Sequence, residues 1–127
     1  MNSVFVYGTL KKGYGNHYIL QNSKFCGNAV TIEKYLFLEL GIPFLTKNQK
    51  HKKRTYVFGE VYNVNNEILT NLDDLEGHPT FYKREPIWVK IHNKYKYVFT
   101  YFISNDYYNE NNCYINSSGI YENGSNL

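Results

Sequence analysis

The sequence predicts an α+β domain made mostly of strands, with one or two short helices. Three observations carry that reading. Val4-Phe5-Val6-Tyr7 is an unbroken apolar, β-favouring run stopped by Gly8, the pattern of a strand covered on both faces. Residues 56–64 (YVFGEVYNV), 84–91 and 95–103 alternate at the strand period, and His92-Asn93-Lys94 between the last two suits a hairpin. Only one segment, from Asn65 to Glu76, repeats its apolar residues at the helical period: Ile68, Leu69, Leu72 and Leu75.

The remaining elements follow in order. Residues 9–15 form a loop, and Asn16 is placed to cap a short helix through His17-Tyr18-Ile19-Leu20. Strand-like pieces follow, notably Tyr35-Leu36-Phe37-Leu38, and break at Gly41 and Pro43. Residues 47–54 (KNQKHKKR) read as a basic, solvated loop. Gly59 within its strand marks a bulge or a close backbone approach. Asn65 caps the main helix, Gly77 supplies a left-handed terminator, and Pro79 prevents continuation. Glu85 and Pro86 indicate an edge or an irregular strand start, and Trp88, between Ile87 and Val89, reads as core. A single domain is expected over residues 1–103. An Asn- and Ser-rich extension over 104–127 either wraps on it or is partly disordered.

The chain has 127 residues, 43% of them hydrophobic and 18% aromatic, enough for a core of its own. A net charge of +3 is too mild to demand a nucleic acid or an anionic membrane. No apolar run approaches a membrane span and the N-terminus lacks a signal-peptide pattern, so a cytoplasmic monomer without membrane or nucleic-acid partners is expected. Cys26 and Cys113 stand in no metal or redox spacing and read as free thiols; the four histidines show no ligand spacing. Asn116-Ser117-Ser118 and Asn123-Gly124-Ser125 match the glycosylation pattern, which carries no weight without secretion.

Two motifs have chemical content. In YGTLKKG, a strand enters a glycine-bearing loop that presents several backbone N–H groups to one anion or carbonyl oxygen; a plain turn is the alternative. In LDDLEGHP, three acids crowd the carbonyl end of a helix. Asp73 and Glu76 share a face beside the apolar stripe, while Asp74 points to solvent. Burial, the helix-end field and the neighbouring Asp73 would all raise the pKa of Glu76 towards a value useful for proton transfer; a solvated acidic helix end is the alternative.

Together, Val4-Phe5-Val6-Tyr7-Gly8-Thr9-Leu10-Lys11-Lys12-Gly13 with Asn16-His17, then Gly59-Glu60-Val61-Tyr62-Asn63-Val64, then LDDLEGHP with Tyr82 and Arg84, resemble the γ-glutamyl cyclotransferase-like family, on its γ-glutamylamine cyclotransferase and AIG2-like branch. The resemblance implies a small mixed β-barrel with short flanking helices. It also implies release of an amine from a γ-glutamyl compound, with closure of the glutamyl part to 5-oxoproline. Carried over by position, Tyr7, Gly8, Thr9 and Leu10 become the substrate-binding loop and Glu76 the proton-transfer residue, with Asp73, Tyr82 and Arg84 in support. No cofactor or metal is implied. Thr9 in place of the serine typical of the glutathione-cleaving relatives leans the substrate away from glutathione. A non-catalytic module that binds a γ-glutamyl compound or a carboxylate stays open as the second reading.

Overall fold

A computed structural model describes residues 2–122 of the chain. Eight strands and one α-helix follow in the order β1 (Asn2–Val6), β2 (Lys24–Thr31), β3 (Leu36–Glu39), β4 (Pro43–Thr46), β5 (Phe58–Val64), α1 (Asn66–Glu76), β6 (Tyr82–Ile91), β7 (Lys94–Ile103) and β8 (Tyr114–Ile115). Short 3₁₀ turns cover His17–Leu20, Asn105–Tyr107 and Glu110–Asn112. Strands β1, β5, β2, β6 and β7 pair in that order and close through a parallel contact of Val4 with Phe99, forming a five-stranded mixed barrel. β4, β3 and β8 extend the sheet outward from β7.

The strand read as covered on both faces is so. Val4, Phe5, Val6 and Tyr7 are all buried. Alternation sends Phe5 and Tyr7 into a cluster shared with Ala29, Val61, Val89, Val98 and Phe102, which gathers every barrel strand. Val4 and Val6 join a second cluster with Leu36, Leu38, Val64, Ile68 and Leu72, which seats α1 against the barrel. Burying Ile68 and Leu72 contributes roughly 1.5–3 kcal/mol each. The Asn65 side chain accepts from the Ile68 N–H at 2.8 Å and caps the helix as expected. Gly77 ends it at φ 66°, with its own N–H and that of His78 turned back to the carbonyls of Asp74 and Asp73.

Gly59 marks a close approach: a Cβ there would stand 2.3 Å from the Val6 carbonyl oxygen and 2.8 Å from the Phe5 ring. The bulge lies instead in β2, between Phe25 and Gly27. The hairpin turns on His92 and Asn93, both at positive φ, so Lys94 already belongs to β7. Pro86 pairs only with β7, because β2 contacts β6 farther along at Val89 and Lys90.

Several expectations are corrected. Trp88 is 53% exposed and stacks on Tyr97 with ring centroids 4.9 Å apart. With Ile87 and Val89 inward, the residue between them must face out. Leu75 is exposed, so that Ile68 and Leu72 are the fully buried residues of the α1 stripe. Asn16 makes no side-chain cap; its amide donates to the Thr9 hydroxyl at 2.9 Å. Pro43, read as a break, opens strand β4, where its missing N–H costs nothing in the ladder. The basic segment is tied at Lys47 to Glu85 (2.9 Å) and at His51 to Glu110 (2.7 Å), while Lys50, Lys52 and Lys53 are solvated.

Beyond β7 the chain returns across the sheet. β8 pairs with β3, and Asn116 is buried, donating to Glu39 and accepting from the N–H groups of Ser118 and Gly119. The sequon beginning at Asn123 lies outside the described residues. Cys26 and Cys113 are free thiols. No helix among the described residues is long and apolar enough to cross a membrane.

Replacing Gly59 with alanine should destabilise the fold by about 1–3 kcal/mol, because the Val6 carbonyl is backbone and cannot swing aside. A urea midpoint unchanged from the parent protein would refute the close approach.

Candidate active site

A cavity of about 190 Å³ opens where the loop after β1 meets the end of α1. Tyr7, Gly8, Thr9 and Leu10 line one side, Glu76 and Tyr82 another, and Tyr101 and Pro43 close it. Tyr7 and Glu76, 69 positions apart in the chain, thus share one space, because β1 lies beside β7 in the closed barrel and β6 leads straight out of the helix turn.

The loop is held in shape from several directions. The Lys11 N–H donates to Gly8 O (3.0 Å), the Asn16 N–H to Thr9 O (3.0 Å), and the Lys12 N–H to the Glu60 carboxylate (2.9 Å). His17 Nδ1 meets the Leu10 carbonyl at 2.9 Å. The N–H groups of Gly8, Thr9 and Leu10 donate to no acceptor among the described residues, and these three residues line the cavity. Gly8 is required by packing: a Cβ would stand 2.6 Å from Cγ of Pro43. Lys11 reaches the Tyr121 carbonyl at 2.8 Å; burial lowers its pKa, against the nearby Glu60 and Glu122.

Glu76 is half-buried at the cavity wall, and burial raises its pKa from 4.5 to about 7. Burial, one of the three influences expected from sequence, is the cause; the expected repulsion from Asp73 is not. Asp73 is engaged elsewhere, accepting from Arg84 Nη1 at 2.7 Å and from the Tyr101 hydroxyl at 2.7 Å. Arg84 in turn lies over the Phe99 ring, and its backbone N–H donates to His78 Nδ1. The Tyr7 hydroxyl donates to the Tyr101 carbonyl at 2.7 Å. This chain of contacts ties the helix end to β6, β7 and the loop. Burial raises the pKa of Tyr7, Tyr82 and Tyr101 further above the ordinary phenol value, so all three remain neutral donors. Asp74 is exposed.

Every residue assigned to the loop, together with Glu76 and Tyr82, therefore lines the cavity, whereas Asp73 and Arg84 sit behind it. Tyr101, Pro43, Ile42 and Phe81 were not singled out from sequence. Only Pro43 left a trace, as a proline close to Gly41 in a segment read as broken. Among the described residues no three His, Cys, Asp or Glu side chains converge as metal ligands.

The architecture defines a class first: a small mixed barrel whose glycine-bearing loop and single half-buried glutamate face one cavity. The sequence model of the family described as Gamma-glutamyl cyclotransferase, AIG2-like matches residues 4–123, and the chain belongs to that family of cyclotransferase-type enzymes. A Methanocaldococcus jannaschii protein, provisionally named gamma-glutamylcyclotransferase, is 44% identical over 88 residues, 68% of this chain and 71% of that one. The Gamma-glutamylaminecyclotransferase of Rattus norvegicus is 35% identical over 99 residues, 72% of this chain and 65% of the rat protein. A crystal structure of an AIG2-like protein from Mus musculus superposes with a TM-score of 0.83 at 27% identity, covering 100% of this chain and 93% of that one.

Two measurements check the electrostatics. Below about pH 4.5 Glu76 is protonated both folded and unfolded. Between there and about pH 7 only the unfolded chain releases the proton, so the contribution of Glu76 to stability falls as pH rises. Glu76→Gln should remove that decline, read as urea midpoints at pH 5 and pH 8; an identical pH dependence in both proteins would contradict it. Asp73→Asn should cost about 1–3 kcal/mol, between the values for exposed and buried ion pairs, since both partners are about one-fifth exposed.

Proposed function

We propose that this protein is a γ-glutamyl cyclotransferase acting on γ-glutamyl-amines such as γ-glutamyl-ε-lysine, releasing the amine and 5-oxoproline. The observation that carries the reading is Glu76, a carboxylate with a pKa of about 7 on the same cavity as three loop residues whose N–H groups have no acceptor among the described residues. The name of the rat relative supports the amine class.

The substrate's own α-amine is the nucleophile, so no serine or cysteine is needed. Holding the γ-glutamyl chain curled brings that nitrogen to the δ-carbonyl carbon, and such positioning contributes about 7–11 kcal/mol in favourable cases. The bound α-ammonium cannot attack. Ionised Glu76 takes one of its protons, the nitrogen forms the ring C–N bond, and the carbonyl oxygen becomes an oxyanion. The amide C–N bond then breaks as Glu76-COOH returns a proton to the departing nitrogen. The second proton lost by the ring nitrogen ends on the released amine as its ammonium. The N–H groups of Gly8, Thr9 and Leu10 serve as donors to the substrate carboxylate or the oxyanion, already oriented by the loop's own hydrogen bonds. The neutral hydroxyls beside Glu76 keep other charge away from it. A base at pKa about 7 exchanges protons in both directions near neutrality, which a two-way shuttle requires.

The direct test is to incubate the protein with γ-glutamyl-ε-lysine, γ-glutamyl-alanine and glutathione and to measure 5-oxoproline. Ligand binding without product from any of them would replace the enzymatic reading with a γ-glutamyl-binding module. Glu76→Gln should lower kcat by ~10²–10⁴-fold. In the parent protein kcat/KM should rise with pH through about 7 as Glu76 ionises, and that limb should vanish in the variant.

A further inference from the structure

The cavity changes character from floor to mouth. Its floor is buried, with Phe5, Val6, Tyr7, Tyr82 and Tyr101 each at most 8% exposed. Its mouth carries Ile42, Leu75 and Phe81, which are 45%, 40% and 37% exposed. These come from the turn between β3 and β4, the last turn of α1 and the segment entering β6. A single exposed apolar side chain is ordinary; three around one opening form a surface suited to an apolar ligand.

Ile42 and Phe81 are held in place. The Ile42 carbonyl accepts from the Leu40 N–H at 3.0 Å, and the next residue, Pro43, packs on Gly8. The Phe81 N–H donates to the Gly77 carbonyl at 2.9 Å. Its ring stands edge-on to Tyr82 and Tyr107, with centroids 4.9 and 5.0 Å away. Among the described residues lining the cavity, Glu76 is the one carboxylate and there is no cation.

We propose that Ile42, Leu75 and Phe81 form an apolar collar that selects the leaving amine by the apolar segment next to the scissile nitrogen, with any distal charge lying outside it unread. This rests on the cyclotransferase reading. With the glutamyl head against Glu76 and the loop, the departing part leaves only through the mouth. An α-amino acid joined through its α-nitrogen carries a carboxylate one carbon from that nitrogen. The collar would strip water from it and offer no cation in exchange. The ε-nitrogen of lysine is followed by four methylenes before any charge, and a plain alkylamine is followed by nothing else.

The experiment measures kcat/KM for the γ-glutamyl amides of methyl-, butyl- and hexylamine and for γ-glutamyl-alanine. Efficiency should rise roughly two- to fourfold per methylene up to butyl. γ-Glutamyl-alanine should fall at least about tenfold below the butylamide. Leu75→Ser and, independently, Ile42→Ser should shrink the butyl-to-methyl ratio. A flat series, or a preference for γ-glutamyl-alanine, overturns the collar. Calorimetric binding of the same compounds to Glu76→Gln separates the two claims. Affinity that grows with chain length, without 5-oxoproline from the parent protein, sinks the reaction and keeps the collar. Affinity indifferent to chain length, with turnover in the parent protein, sinks the collar alone.

Discussion

The Asp73 carboxylate, clamped between the Arg84 guanidinium and the Tyr101 hydroxyl, is the contact on which the rest of the site depends. It pins the end of α1 to β6 and β7. Through the backbone of Tyr101 it is continuous with Tyr7, at the root of the loop. A half-buried acid left unpaired at the carbonyl end of a helix would be destabilising; paired twice, Asp73 becomes an anchor. The pairing also neutralises the nearest like charge on the helix face, leaving burial to set the proton affinity of Glu76.

That division of labour explains how three acids coexist in one helical turn. Asp74 is solvated, Asp73 is structural, and Glu76 lines the cavity with no cation beside it among the described lining residues. Desolvation alone then places its pKa where a carboxylate can both accept and donate at neutral pH. The loop on the opposite wall is built on a complementary rule. Its carbonyls are used internally, by Lys11 and Asn16 N–H groups and by His17, while the N–H groups of Gly8, Thr9 and Leu10 donate to no acceptor among the described residues. The loop and Glu76 line the same cavity.

Much of the fold was legible because the local signals agree with one another. The buried strand at Val4–Tyr7, the Asn65 cap, the Gly77 terminator and the close approach at Gly59 each follow from residue types whose backbone or side-chain demands are specific. Readings failed where a local pattern left the direction open. Trp88 alternates correctly, but alternation does not say which set faces inward; the barrel chose Ile87 and Val89. Leu75 fits the helical stripe, yet it is exposed and lies on the cavity, while Ile68 and Leu72 are buried. Asn16 has a capping side chain that found a nearer partner in Thr9.

The sequence by itself determined the first strand, the main helix with its caps, the last hairpin, the catalytic candidates and the family to which they point, since glycine, proline and capping residues constrain the chain within a few positions of themselves. Tertiary structure alone decided which acid is free. The partners of Asp73 lie 11 and 28 positions away and meet it only once β6 and β7 pair beside the helix. It alone also decided that Ile42, Leu75 and Phe81 would surround one opening, because they sit on three elements with no periodicity in common. Contacts between distant segments are set by the register of barrel closure, and no local propensity encodes that register.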